Sequence, residues 1–129
     1  MHRILCLVAL CATPVFAQDI DCENAMTQQA MNQCAHLEWQ AADQDLNLAY
    51  GIAMAQAKSQ DAYISQTDIP AATLLRNAQR AWIDFRDKAC ALEGTIARGG
   101  SMQPLLYWSC FARETRQRTE SLRLFGEVN

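Results

Sequence analysis

The sequence predicts an all-α protein, an antiparallel bundle of about three helices stapled by two disulfides. Three observations carry this. Apolar residues recur at three- and four-residue steps through most of the chain after Thr27. Val and Ile are sparse in that part, and no sustained apolar/polar alternation suggests strands. Cys90 and Cys110 stand ten residues either side of Gly100, where the two stems of a helical hairpin would put them.

Residues 1–17 read as an export signal. Arg3 gives a basic start, Ile4 to Ala12 an apolar run, and Val15-Phe16-Ala17 a small-residue cleavage site before Gln18. The run is shorter than the roughly 20 residues that span a bilayer, so no membrane anchor is expected. Leu10 precedes Cys11, where lipid attachment needs a small residue. Residues 18–129 remain as a single domain, periplasmic or secreted.

Without the leader, 10 basic residues face 14 acidic ones, a net charge of −4. Residues 18–70 carry eight acids against Lys58 alone, and residues 71–129 carry nine bases against six acids. No concentrated basic face results, which excludes nucleic acid as the expected partner. The asymmetry has two readings: an acidic first helix docked on basic later ones, or an acidic face offered to a cationic partner.

The first helix starts with Thr27 as N-cap and runs to about Lys58. Its inward stripe is Met31, Cys34, Ala35, Ala42, Leu46, Ala49, Tyr50, Ala53 and Ala57. Gly51 weakens this helix by about 1 kcal/mol relative to Ala and marks a place where it can break. Residues 59–68 are mostly polar and interrupt the pattern. Pro70 suits the first turn of a second helix, whose stripe reads Leu74, Ala78, Trp82, Phe85, Ala89 and Leu92. Arg98-Gly99-Gly100-Ser101 ends it, because a Gly pair supplies left-handed backbone angles. A third helix begins near Pro104 with Leu105, Trp108, Ala112, Thr115, Thr119 and Leu122 inward.

Four cysteines allow three pairings. The hairpin places Cys90 and Cys110 at matching heights, which leaves Cys22 for Cys34. Twelve residues of straight helix span about 18 Å, so this second bond requires the chain before Thr27 to fold back. There is no C-x-x-C pair, and His36 is the only histidine outside the leader, so neither a metal nor another cofactor is expected.

Cys22, Thr27, Met31 and Cys34, then Asp43-x-x-Leu46-Asn47-x-x-Tyr50, then Ala78-Gln79-Arg80-Ala81-Trp82-x-x-Phe85-Arg86-Asp87-x-x-Cys90 form an ordered series. Gly99-Gly100-Ser101, Cys110, Thr115, Arg118 and Leu122 continue it. The series resembles the lysozyme-inhibitor LprI-like N-terminal domain family of small exported bacterial proteins, over about residues 22–122. The resemblance implies a helical, cysteine-bearing binding protein, not an enzyme, with a lysozyme or other peptidoglycan hydrolase as partner. One departure is Ala30, where the family commonly has an acidic residue, so only the Thr27 half of a capping box remains.

Gln79, Trp82 and Arg86 share one side of the second helix; Asp43, Asn47 and Tyr50 share one side of the first. The structural reading is a packed aromatic among interhelical hydrogen bonds, with Arg86 or Arg118 meeting Asp43 or Asp87. The alternative is a ligand pocket lined by the same groups. Asp84 and Asp87 read as a solvated helix face, not a catalytic pair, and His36 as a surface residue. The turn Arg98, Gly99, Gly100 and Ser101 is the candidate binding loop: one cation, a hydroxyl and open backbone, with stems held by a disulfide. A loop cation suits a cleft that works with two carboxyl groups. Two function classes follow: an inhibitor of a muramidase, or a periplasmic structural or assembly protein that binds another envelope protein through its helical surface.

Overall fold

A computed structural model describes residues 20–127, so the expected leader lies outside the described residues. Three helices follow in order: α1 (Gln28–Asp61), α2 (Ala71–Gly94) and α3 (Gln103–Gly126), with a 3₁₀ turn at Thr95–Ala97 after α2. The chain runs up, down and up, so α1 and α3 are parallel and α2 is antiparallel to both. Asn32 lies beside Ser101 at one end of the bundle, and Ala53 lies beside Gly126 towards the other.

Thr27 caps α1 as its sequence position suggests, its Oγ1 accepting from the Ala30 N–H at 3.1 Å. The helix passes through Gly51 unbroken, and nothing lies within 4 Å of a side chain built there. At 34 residues α1 is about 51 Å long at 1.5 Å per residue, the axis on which the shorter helices pack. Ala42, Ala49, Ala53 and Ala57 are buried along it. Their small side chains let α3 approach closely, and a Cβ at Gly126 would stand 3.0 Å from Ile52 Cγ2 and 3.4 Å from the Ala53 nitrogen. Leu46, Leu75 and Leu122 fill the core between these surfaces.

Asp61, the last residue of α1, closes the loop to α2. Its carboxylate accepts from the backbone N–H groups of Ala71 and Ala72, at 2.5 and 3.1 Å. Pro70 is the N-cap and offers no side-chain bond, so Asp61 does the capping from another helix. In α3, Ala112, Thr115, Thr119 and Leu122 are buried as expected, while Leu105 and Trp108 are half-buried.

The expected stripe of α2 is corrected. Leu74, Phe85 and Leu92 are 52%, 59% and 71% exposed, and Ala78 also faces out. The helix instead buries Ala72, Leu75, Arg86, Cys90 and Gly94. The bond from Cys90 to Cys110 fixes this rotation, and partners described below make a buried arginine tolerable.

Both disulfides pair as expected. Cys90–Cys110 joins α2 to α3 with Cα atoms 5.4 Å apart. Cys22–Cys34, with Cα atoms 5.6 Å apart, folds residues 22–27 back over the start of α1. No helix among the described residues is long and apolar enough to cross a membrane.

Candidate binding turn

The turn between α2 and α3 is a tightly bonded structure. α2 itself stops at Gly94, earlier than the glycine pair, and the 3₁₀ turn carries the chain onward. The N–H of Arg98 donates to Thr95 O at 3.1 Å and that of Gly100 to Ala97 O at 2.9 Å. Gly99 has φ of 77°, in the left-handed region that favours glycine. Its N–H donates to Gln103 Oε1 at 2.9 Å, so the first residue of α3 reaches back and holds the apex. From the third side, Asn32 Nδ2 donates to the Ser101 carbonyl at 2.9 Å, and Gln28 Nε2 donates to Asn32 Oδ1 at 2.8 Å.

The exposed groups are those the sequence singles out. Arg98, Gly99, Gly100 and Ser101 all face solvent, and Arg98 forms no ion pair among the described residues. Ile96 and Met102 flank it, 78% and 46% exposed. An exposed cation thus sits, with two exposed apolar residues near it in sequence, on a backbone bonded to the preceding 3₁₀ turn, to α3 and to α1.

Behind the turn lies an aromatic cluster. Trp39 and Trp108 stack at 4.9 Å, His36 packs on Trp108 at 4.4 Å and Tyr107 on Phe111 at 4.5 Å. His36 is thus half-buried between two tryptophans, not on the open surface. The signal was present in the sequence: His36 and Trp39, Tyr107 and Phe111 stand at helical spacing.

Arg86 is the centre of the motif residues. Its guanidinium lies 4.6 Å from the centre of the Phe111 ring and 4.9 Å from that of Trp82. Nε and Nη2 donate to Asp87 Oδ1 at 3.0 and 2.9 Å, and Nη1 stands 4.0 Å from Asp43. Asn47 donates to Asp43 at 3.2 Å, and Tyr50 packs against the core with Trp82. Arg118 meets neither carboxylate; its Nε donates to Gln79 Oε1 at 2.9 Å. Asp84 is engaged by Lys88 at 2.7 Å.

Other charges brace the bundle. Glu93 receives both terminal nitrogens of Arg113, at 3.2 and 2.6 Å, and this hydrogen-bonded pairing raises the guanidinium pKa above its ordinary value. Arg116 reaches Glu38 at 3.2 Å, so one basic residue of α3 does meet an acid of α1. Burial lowers the Arg118 pKa. At the N-terminal segment, the hydrogen bond from Asn24 lowers the Asp21 carboxyl.

Residues 21–122 match the family described as lysozyme inhibitor LprI. The chain belongs to this family. It is 40% identical over 124 residues to an uncharacterized protein, R02472, of Rhizobium meliloti (strain 1021), covering 92% of this chain and 89% of that one. It is 32% identical over 103 residues to the uncharacterized protein YecT of Escherichia coli (strain K12), covering 74% and 62%. Its fold is similar to the crystal structure of a DUF1311 family protein from Pseudomonas putida KT2440, with a TM-score of 0.68 and 25% identity over 82% of this chain and all of that one. In this LprI family chain the expected turn and motif residues occupy separate places. Arg98 to Ser101 cap one end of the bundle, whereas Arg86, Trp82 and Asp43 lie along its length.

Proposed function

We propose that this protein is an exported inhibitor that binds a peptidoglycan-cleaving muramidase and blocks its cleft with the Arg98 turn. The observation that carries the reading is an exposed Arg98, without an ion pair among the described residues, on a turn that Gln103, Asn32 and the Cys90–Cys110 bond hold in place. Holding the backbone beforehand reduces the ordering cost of binding. The guanidinium offers several N–H donors in a planar fork that suits a carboxylate, and Ile96 and Met102 supply apolar contact at the cleft rim. Binding, not catalysis, is the activity, and disulfides suit the oxidising compartment outside the cytoplasm.

A second reading has its own observation. The apolar side of α2 that faces out, with Phe85 59% and Leu92 71% exposed, gives an envelope protein somewhere to dock. Calorimetric titration of several lysozyme types tests the first reading and separates an Arg98 contact from one through α2. The inhibitor reading expects saturable binding that weakens as salt rises and is lost in Arg98→Ala. Salt-insensitive binding that survives Arg98→Ala but fails in Phe85→Asp would support the α2 surface instead.

A further inference from the structure

At the end of the bundle away from the turn, α2 and α3 part to leave a groove of about 390 Å³. Its walls are Leu74, Leu75 and Ala78 from α2 and Leu122 and Phe125 from α3, with Arg118 among them. A volume near 400 Å³ with a mostly apolar lining and one charged group is typical of small-ligand clefts, which run from about 300 to 1,000 Å³. On its other side Arg118 borders a second pocket, lined by Trp82, Phe85, Glu114, Gln117 and Ser121.

Arg118 is the unusual member. It is half-buried, and its one hydrogen bond among the described residues runs from Nε to the neutral Gln79 Oε1 at 2.9 Å. No carboxylate among the described residues comes within ion-pair distance of it. Glu114, one turn earlier on the same helix, is turned to Arg113 at 3.4 Å. The desolvation that lowers the Arg118 pKa is therefore uncompensated by an anion of the protein. Every other arginine that is as deeply placed has one: Arg86 lies beside Asp87 and Asp43.

The geometry points to this groove as a binding site for a single-chain amphiphile with a carboxylate head, of the fatty-acid class. The head would take the Nη donors of Arg118 that Gln79 leaves unused, a charge-assisted contact in a partly dry place. The tail would lie along Leu74, Ala78 and Phe125 and cover apolar surface now facing water. The cation selects the sign of the head, and the apolar walls take the tail. This site is at the opposite end of the molecule from the Arg98 turn, so its success or failure is independent of muramidase binding.

The test uses sodium dodecanoate below its micelle-forming concentration, with dodecyltrimethylammonium as a cation-headed probe of equal chain length. Calorimetry and amide chemical shifts follow both. Dodecanoate should bind saturably, with shifts confined to the Leu74–Ala78 and Arg118–Phe125 segments, and the cationic probe should not. Arg118→Gln should weaken dodecanoate by about tenfold or more, in line with a lost charge-assisted bond. Ser121→Trp, at an exposed position on the groove wall, should block it while leaving Arg118 bonded to Gln79. Equal binding of the two probes, dodecanoate binding indifferent to both substitutions, or no saturable binding would each overturn the proposal. If Arg118→Gln does not fold, Ser121→Trp and the cationic probe decide alone.

Discussion

Asn32 on the second turn of α1 donates a 2.9 Å hydrogen bond to the carbonyl of Ser101, 69 residues away in the turn between α2 and α3. The bond makes the turn part of a three-helix junction, where a hairpin loop alone would be anchored only by its own stems. It also aligns the start of α1 with the start of α3, as their parallel packing requires.

Asn32→Ala should therefore loosen the turn more than it destabilises the fold. The expected stability loss is about 0.5–1.5 kcal/mol for one exposed hydrogen bond. Amide hydrogen exchange at Gly100 and Ser101 should accelerate well beyond that of the α2 and α3 interiors. Unchanged exchange at the turn would show that Gln103 and the disulfide hold it without α1.

The two glycines at which backbone conformation matters should respond in opposite directions. Gly51→Ala sits in open space within a continuous helix and should stabilise by about 1 kcal/mol. Gly99→Ala also meets no atom, yet its φ of 77° is strained for any residue with a Cβ. It should destabilise by about 1–2 kcal/mol. Denaturant midpoints of the two variants check the pair together.

Trp82→Ala should cost less than a fully buried aromatic. Trp82 is only half-buried beside Arg86, so about 2–3 kcal/mol is expected in place of the 3–5 of a core tryptophan. Phe111→Ala should reach the full range, because Phe111 is 4% exposed and faces both the disulfide and Arg86. The reverse order of the two losses on chemical denaturation would contradict the packing around Arg86.

These residues also show what the sequence could and could not reveal. α1 and α3 were legible because their alanines, threonines and leucines mark one stripe each, and burial follows it. α2 was not, because it carries two stripes about a quarter-turn or more apart. The more apolar one, through Leu74, Phe85 and Leu92, faces water, and the buried one runs through Leu75, Arg86 and Cys90, with Trp82 of the expected stripe half-buried between them. Hydrophobicity alone selects the wrong face. The deciding forces reach other helices: the covalent link from Cys90 to Cys110, the ring face of Phe111 on the guanidinium, and the carboxylate of Asp43, to which the local Trp82 and Asp87 add. Asp61 as the cap of α2 was hidden for a similar reason, since a side chain ten residues upstream fills the place of a local N-cap. The turn was legible in composition, but the Asn32 tether was not, because nothing local to Asn32 marks its partner.

Reduction of the Cys90–Cys110 bond should lower stability by about 3 kcal/mol, as expected for a closed loop of its size. The bond is fully buried, its two cysteines 0% and 1% exposed, so mild reductant should attack Cys22–Cys34 first. Mass mapping after graded reduction should recover free Cys22 and Cys34 while 90 and 110 remain joined; the opposite order would contradict the burial.

The most direct measurement of the central claim is a cell-wall clearance assay against several lysozyme types, with wild-type protein beside a folded Arg98→Ala variant. Dose-dependent inhibition of at least one type by the wild type, and its loss in the variant, is the expected result. Absence of inhibition at excess protein, across all types, would contradict the inhibitor reading, and full inhibition by Arg98→Ala would contradict the assignment of the turn.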